Sequence, residues 1–213
     1  MSEYPITWCS VFIIDPLFTL PLIVGVIVVA AARRNPQRAF RFNLAMLALS
    51  TLYLGWSFAA KFHAQGIARD ELARQGIEYR QIVALASPFN TILWRFVVMT
   101  PDGYAEGWYS FLDSGRNVEF IQHDSATGLL TGLESHWPVT RLQWFSKGFY
   151  RVGQEERSVV ITDLRMGAED FYVFRFKVGE IGNPHSIPAA SEQLQATLED
   201  GAFAELWSRL KGR

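Results

Sequence analysis

The chain has 213 residues, 49% hydrophobic and only 19% charged, enough for one ordinary domain plus a membrane anchor and too few for two large domains and an anchor. Its 20 basic and 21 acidic side chains leave a net charge of -1, which gives no field for DNA or RNA and excludes nucleic acid as an expected partner. The single cysteine, Cys9, excludes an intrachain disulfide and a cysteine zinc cluster, and reads as a small apolar residue beside a membrane segment.

Residues 11 to 60 predict a two-helix membrane hairpin. No charge falls between Pro16 and Ala32, and Val11 to Ala32 is long enough to cross a ~30 Å hydrocarbon core. A secretory signal does not fit, because Glu3 stands where a basic start belongs and the arginines follow the apolar run. Asp15 is an ionisable group at the membrane edge, costly unless paired. Placed before Pro16 it is a natural N-cap, with a ligand or polar-network role as the alternative. The loop carries Arg33, Arg34, Arg38 and Arg41 without an acid, so it is expected in the cytoplasm, with everything after Lys61 on the far side. The second span, Phe42 to Ala60, has Asn43 as its strongly polar member, and its Tyr53 and Trp56 read as packing or interfacial aromatics.

Lys61 to Gln75 predicts a helix leaving the membrane and ended by Gly76, with His63 a solvated or interfacial residue. From Tyr79 the hydrophobic period becomes two. Thr91 to Met99 alternates Ile92, Trp94, Phe96 and Val98 against Leu93, Arg95, Val97 and Met99, then turns at Pro101-Asp-Gly103. Ala105 to Asp113 and Val118 to Gln122 continue an antiparallel meander. Two short helices are expected within Ser125 to Lys147, the second starting near Pro138. Strands follow at Phe149 to Gly153, Ser158 to Leu164 and Asp170 to Val178, then a tail from Pro184 and Pro188 with amphipathic helix over Ser191 to Leu210, broken near Gly201. The expected class is α+β: a transmembrane hairpin (1–61), a soluble domain with a mainly antiparallel sheet (62–180) and a helical tail (181–213).

No nucleophile-and-base or zinc spacing is present. His63, His123, His136 and His185 are scattered, and His123-Asp124 reads as a solvated strand end. Arginine on a strand must reach solvent, a carboxylate or an anion, which singles out Arg95, Arg165 and Arg175. Asp163 suggests ion pairing with Arg165 as the default. An anion pocket is the sharper alternative, so Asn90, Arg95, Asp163, Arg165 and Arg175 form the candidate ligand-binding set.

Several segments in one order carry a family likeness: Trp8 to Pro21 (WCSVFIIDPLFTLP), Ser50 to Trp56 (STLYLGW), Ser87 to Arg95 (SPFNTILWR), Gly103-Tyr104 with Glu106 to Ser110 (EGWYS), Arg141 to Ser146 (RLQWFS), Thr162 to Gly167 (TDLRMG) and Tyr172 to Phe176 (YVFRF). To about Val178 the chain resembles the C-terminal half of the YdjM-like bacterial inner-membrane proteins, metal-dependent hydrolases associated with the LexA regulon. The resemblance implies an integral inner-membrane protein, a divalent metal ion as cofactor, and Asp15 as the one residue here placed to serve as an oxygen ligand. The family's R-G-x-T-H-S and H-x-x-x-D segments are not in this sequence, which is expected to start where the family's middle helices end, the pattern of a truncated gene, an alternative start or a split protein. Two readings follow. One is the C-terminal part of such a hydrolase, inactive alone or completed by a separate N-terminal membrane half or by a homo-oligomer. The other is a non-enzymatic membrane-anchored domain that binds a ligand or partner.

Overall fold

A computed structural model describes residues 10–12, 14–31, 35–168, 171–195 and 202–212. Cys9, Arg33, Arg34, Asp170 and the 196–201 stretch of the expected tail helix lie outside the described residues. Helix α1 is Pro16–Ala31 and helix α2 is Pro36–Gln75. Helix α1 starts where Asp15 and Pro16 direct it. Its 16 residues rise about 24 Å, less than a full crossing, because Ser10 to Phe12 stay outside the helix.

Helix α2 merges the second apolar stretch and the emerging helix into 40 continuous residues. Among the described residues it is the one helix long and apolar enough to cross a membrane. Asn35 caps its start, Oδ1 accepting from the Arg38 N–H at 3.2 Å. Gly76 closes it in the left-handed region at φ 66°, and the Ile77 N–H reaches back to the Leu72 carbonyl at 3.0 Å.

One stripe runs the length of α2 at alternating steps of four and three residues. Ala39, Asn43, Met46, Ser50, Tyr53 and Ser57 form its lower part. Ala60, Ala64, Ile67 and Glu71 continue it upward. The lower part lies along α1, where Gly25 is buried and a Cβ on it would stand 2.5 Å from Asn43 Oδ1 and 3.2 Å from Met46 Cβ, so a larger residue would have to push both side chains aside. The upper part, joined by Ala68 and Leu72, packs under the first sheet with Trp94, Phe96 and Val98.

That sheet is the expected meander: β1 Gln81–Ala86, β2 Leu93–Met99, β3 Gly103–Ser110 and β4 Phe120–Asp124, antiparallel in sequence order. A 3-10 turn at Thr127–Leu130 and helix α3, Trp137–Ser146, are the two short helical pieces. A second antiparallel sheet takes β5 Tyr150–Glu155, β6 Ser158–Asp163, β9 Arg175–Glu180 and β10 Ile187–Leu194 in the order β10-β9-β6-β5. Between β6 and β9 a small hairpin pairs β7, Gly167–Ala168, with β8, Phe171–Tyr172. Helix α4, Ala202–Leu210, follows. The fold is α+β with antiparallel sheets.

Two expectations are corrected. The run expected as one strand from Asp170 to Val178 is broken, because the Val173 N–H turns to the Met166 carbonyl while Phe174 accepts from Asp163 N–H. The tail expected as helix from Ser191 is instead strand to Leu194. Pro188 is tolerated there because β10 is an edge strand, and its register shifts between Pro188 and Glu192.

The first sheet is buried on both faces. Away from α2, Val97 and Tyr104 pack with Phe149, Leu164 and Tyr172. Val152, Val159, Ile161 and Val178 of the second sheet face Leu130, Leu133 and Val139 of the helical pieces.

Candidate functional site

The strand arginines are all engaged within the fold. Arg95, 3% exposed, has five N–H donors, and each has an acceptor. Nε bonds Glu106 Oε2 at 3.1 Å, one terminal nitrogen bonds the carbonyls of Leu164 at 2.9 Å and Gly167 at 2.5 Å, and the other bonds Glu106 Oε1 and the Tyr172 hydroxyl. Tyr172 donates in turn to Glu106. Burial, with Glu106 alongside and against the pull of Arg95, holds the Tyr172 phenol far above its ordinary range, so it stays a donor. Arg95 on β2 and Glu106 on β3 are diagonal neighbours on one sheet face, and through Leu164 and Gly167 they tie the first sheet to the start of the small hairpin.

Asp163 and Arg165 form the expected ion pair, at 3.0 and 2.6 Å, and Arg165 also donates to the Phe145 carbonyl at 2.7 Å with its guanidinium over that ring. Arg175 pairs with Glu155 across the second sheet. Asn90 shapes the β1–β2 loop, its Oδ1 accepting from Ile92 N–H at 3.0 Å and Leu93 N–H at 2.8 Å. The set is therefore brought into separate structural contacts rather than around one ligand. Arg95 and the Asp163–Arg165 pair come nearest to one another, at the turn through Leu164.

A different cluster stands where the hairpin meets the sheet. Asp15 is 1% exposed and makes the predicted cap, Oδ1 accepting from Leu17 N–H at 2.9 Å and Phe18 N–H at 3.4 Å. Its other oxygen accepts from the Tyr53 hydroxyl of α2 at 2.7 Å, and Thr91 of the β1–β2 loop lies buried beside that hydroxyl. Cap and polar network, weighed as alternatives in the sequence, are both present. The loop holding Thr91 carries Phe89 at φ 65°, a strained setting for an aromatic residue, with its ring edge-on to Phe12 at 5.7 Å. In the same loop Ser87 Oγ is buried and has no hydrogen-bond partner among the described residues. The two helices thus meet on one buried carboxylate at the mouth of the hairpin, with the β1–β2 loop packed beside it through Phe89.

Tyr53, Thr91 and Ser87 escaped the sequence reading as site residues. Tyr53 had a usable signal, since it falls on the small-residue stripe between Ser50 and Ser57 rather than on the face with Leu52 and Trp56. Thr91 and Ser87 had none, because only the fold brings their loop to α1. For a divalent metal the donor set does not fit: among the described residues no three His, Cys, Asp or Glu side chains come together, and both Asp15 oxygens already accept hydrogen bonds. Set against family models, curated proteins and solved structures, the chain matches none.

Proposed function

We propose that this chain is a positioning module: the last two helices of a larger bilayer-embedded assembly, clamped by an α+β domain of their own. The assembly it belongs to is, by the resemblance of its segments, a YdjM-like metal-dependent hydrolase of the bacterial inner membrane. The observation that carries this is the shared carboxylate. Asp15 caps α1 and accepts from Tyr53 of α2, while the β1–β2 loop packs against the same end of the hairpin through Phe89 on Phe12. Burying a carboxylate beside a membrane segment is costly, and the three donors that offset that cost, two N–H groups of α1 and the Tyr53 hydroxyl of α2, hold the two helices in one geometry. On this reading the chain's own residues orient helices, and the chemistry needs ligands from other segments. The arginines at the hairpin bend, Arg38 and Arg41 with Arg33 and Arg34 before them in sequence, support a cytoplasmic loop and an extracytoplasmic domain.

The test is metal content. The chain is purified as it stands and again joined to the segment encoded upstream of it, and bound divalent metal is measured in both. Metal only in the longer form supports the reading. Metal held by this chain alone overturns the positioning role, and metal in neither form removes the hydrolase assignment.

A further inference from the structure

The membrane-proximal end of the first sheet is marked by contacts with the hairpin. The β1–β2 loop touches it through Thr91 to Tyr53 and Phe89 to Phe12. The turn after β3 touches it through Phe111, whose ring meets Trp56 at 6.3 Å and His63 at 5.8 Å. Trp56 is itself exposed, four residues before the apolar stretch of α2 ends at Ala60. The turn after β3 therefore sits at the level where the helix passes from apolar to polar surroundings.

Helix α4 is fastened to that same turn. Arg209 grips Asp113 with two bonds, at 2.7 and 2.8 Å, and donates to the Trp108 carbonyl at 2.8 Å, while Ser110 Oγ donates to the Leu210 carbonyl at 2.8 Å. Its outward side carries Trp207, 63% exposed, and one turn on the exposed Lys211. Beside it Leu112 is 57% exposed at the tip of the turn. A tryptophan with a lysine one turn away, next to an apolar loop tip and held at the boundary of a spanning helix, is the composition of a segment lying in the headgroup region.

We infer that α4 and the Leu112 turn form an interfacial foot, with Trp207 and Leu112 inserted in the headgroup region of the bilayer that the hairpin crosses. The occupant of this surface is lipid, because the surface is continuous with the exposed apolar flank of α2 through Phe111 and Trp56. The inference rests on the hairpin spanning the membrane, and its test reads that separately.

Nitroxide labels are placed by Trp207→Cys, Leu112→Cys, Leu47→Cys and Trp137→Cys, each with Cys9→Ser, in the full chain in phosphatidylethanolamine–phosphatidylglycerol nanodiscs. Trp137, 71% exposed at the start of α3, which packs with the second sheet, is the water-facing reference. Labels at 207 and 112 are expected at a depth of about 5–10 Å by oxygen and aqueous-reagent collision. The label at 47 is expected deeper and the label at 137 in water. Aqueous access at 207 and 112 equal to that at 137 overturns the inference while a lipid-exposed 47 keeps the span. Shielding of 207 from both oxygen and the aqueous reagent assigns the face to a second copy of the chain and also overturns it. Water access at 47 removes the span and the foot together.

Discussion

The lower and upper halves of α2 use one stripe in opposite ways. Below, the inward residues are small or polar apart from Met46, namely Ala39, Asn43, Ser50, Tyr53 and Ser57, while Phe42, Leu44, Leu47, Leu49 and Leu52 face outward and exposed. Above, the inward residues are Ala60, Ala64, Ile67, Ala68 and Leu72 with one buried carboxylate, Glu71, and Arg69, Asp70 and Arg74 face outward. In lipid, apolar side chains gain little by leaving one hydrocarbon surface for another, so helices associate through close approach and hydrogen bonds. In water the gain comes from removing apolar area. Along this single unbroken helix the outward face changes from apolar to charged over the turns after Ser57, the pattern that the proposed passage from lipid to water calls for.

The contrast can be broken at several points. The largest loss is expected where the domain core holds a charge. Arg95→Met leaves Glu106 buried without its partner and should destabilise the domain by about 3–5 kcal/mol, while adding Glu106→Leu should recover much of that; urea unfolding followed by tryptophan fluorescence reads both. Leu72→Ala, on the upper stripe, should cost about 2–5 kcal/mol in the same assay, through the cavity left under Trp94 and Phe96. Gly25→Val forces a side chain against Asn43 and should cost the hairpin about 1–3 kcal/mol, seen as a lower denaturing-detergent midpoint of helix separation with the domain's urea midpoint unchanged. Ser50→Ala, which removes the 3.0 Å bond to the Phe18 carbonyl, should be the mildest, about 0.6 kcal/mol on the hairpin alone. If Gly25→Val lowered the urea midpoint as much as Leu72→Ala does, the two halves would not be separate contacts and the contrast would fail.

Much of this architecture is local, and the local part was readable. The phase of β2 places Trp94, Phe96 and Val98 on one face and Arg95 and Val97 on the other, as alternation demands. Gly76 ends α2, and Asp15 caps α1, because both signals act within one turn. The misses are non-local. Pro184 and Pro188 mark the start of a tail in the sequence, and nothing short of the sheet order shows that Pro188 can sit in a strand because β10 lies at an edge. Arg95 was open to a ligand in sequence because Glu106, its true partner, becomes a neighbour only through the β2–β3 register. Arg175 found Glu155 the same way, across the second sheet. The junction was half visible: the cap could be read from Asp15-Pro16, whereas Thr91 reaches it only when the sheet is docked on α2.

The continuity of α2 also has a mechanical side. Its 40 residues make about 60 Å of helix, and the sheet is packed directly on the upper turns with no linker between. Membrane helices commonly lean by about 20°, and over that length such a lean carries the Gln75 end roughly 20 Å sideways. If α2 crosses a bilayer as proposed, the domain leans with it as the head of a lever does, since the upper turns of the helix are part of its core. A change in bilayer thickness that alters the lean would then move every residue of the first sheet by an amount set by its height.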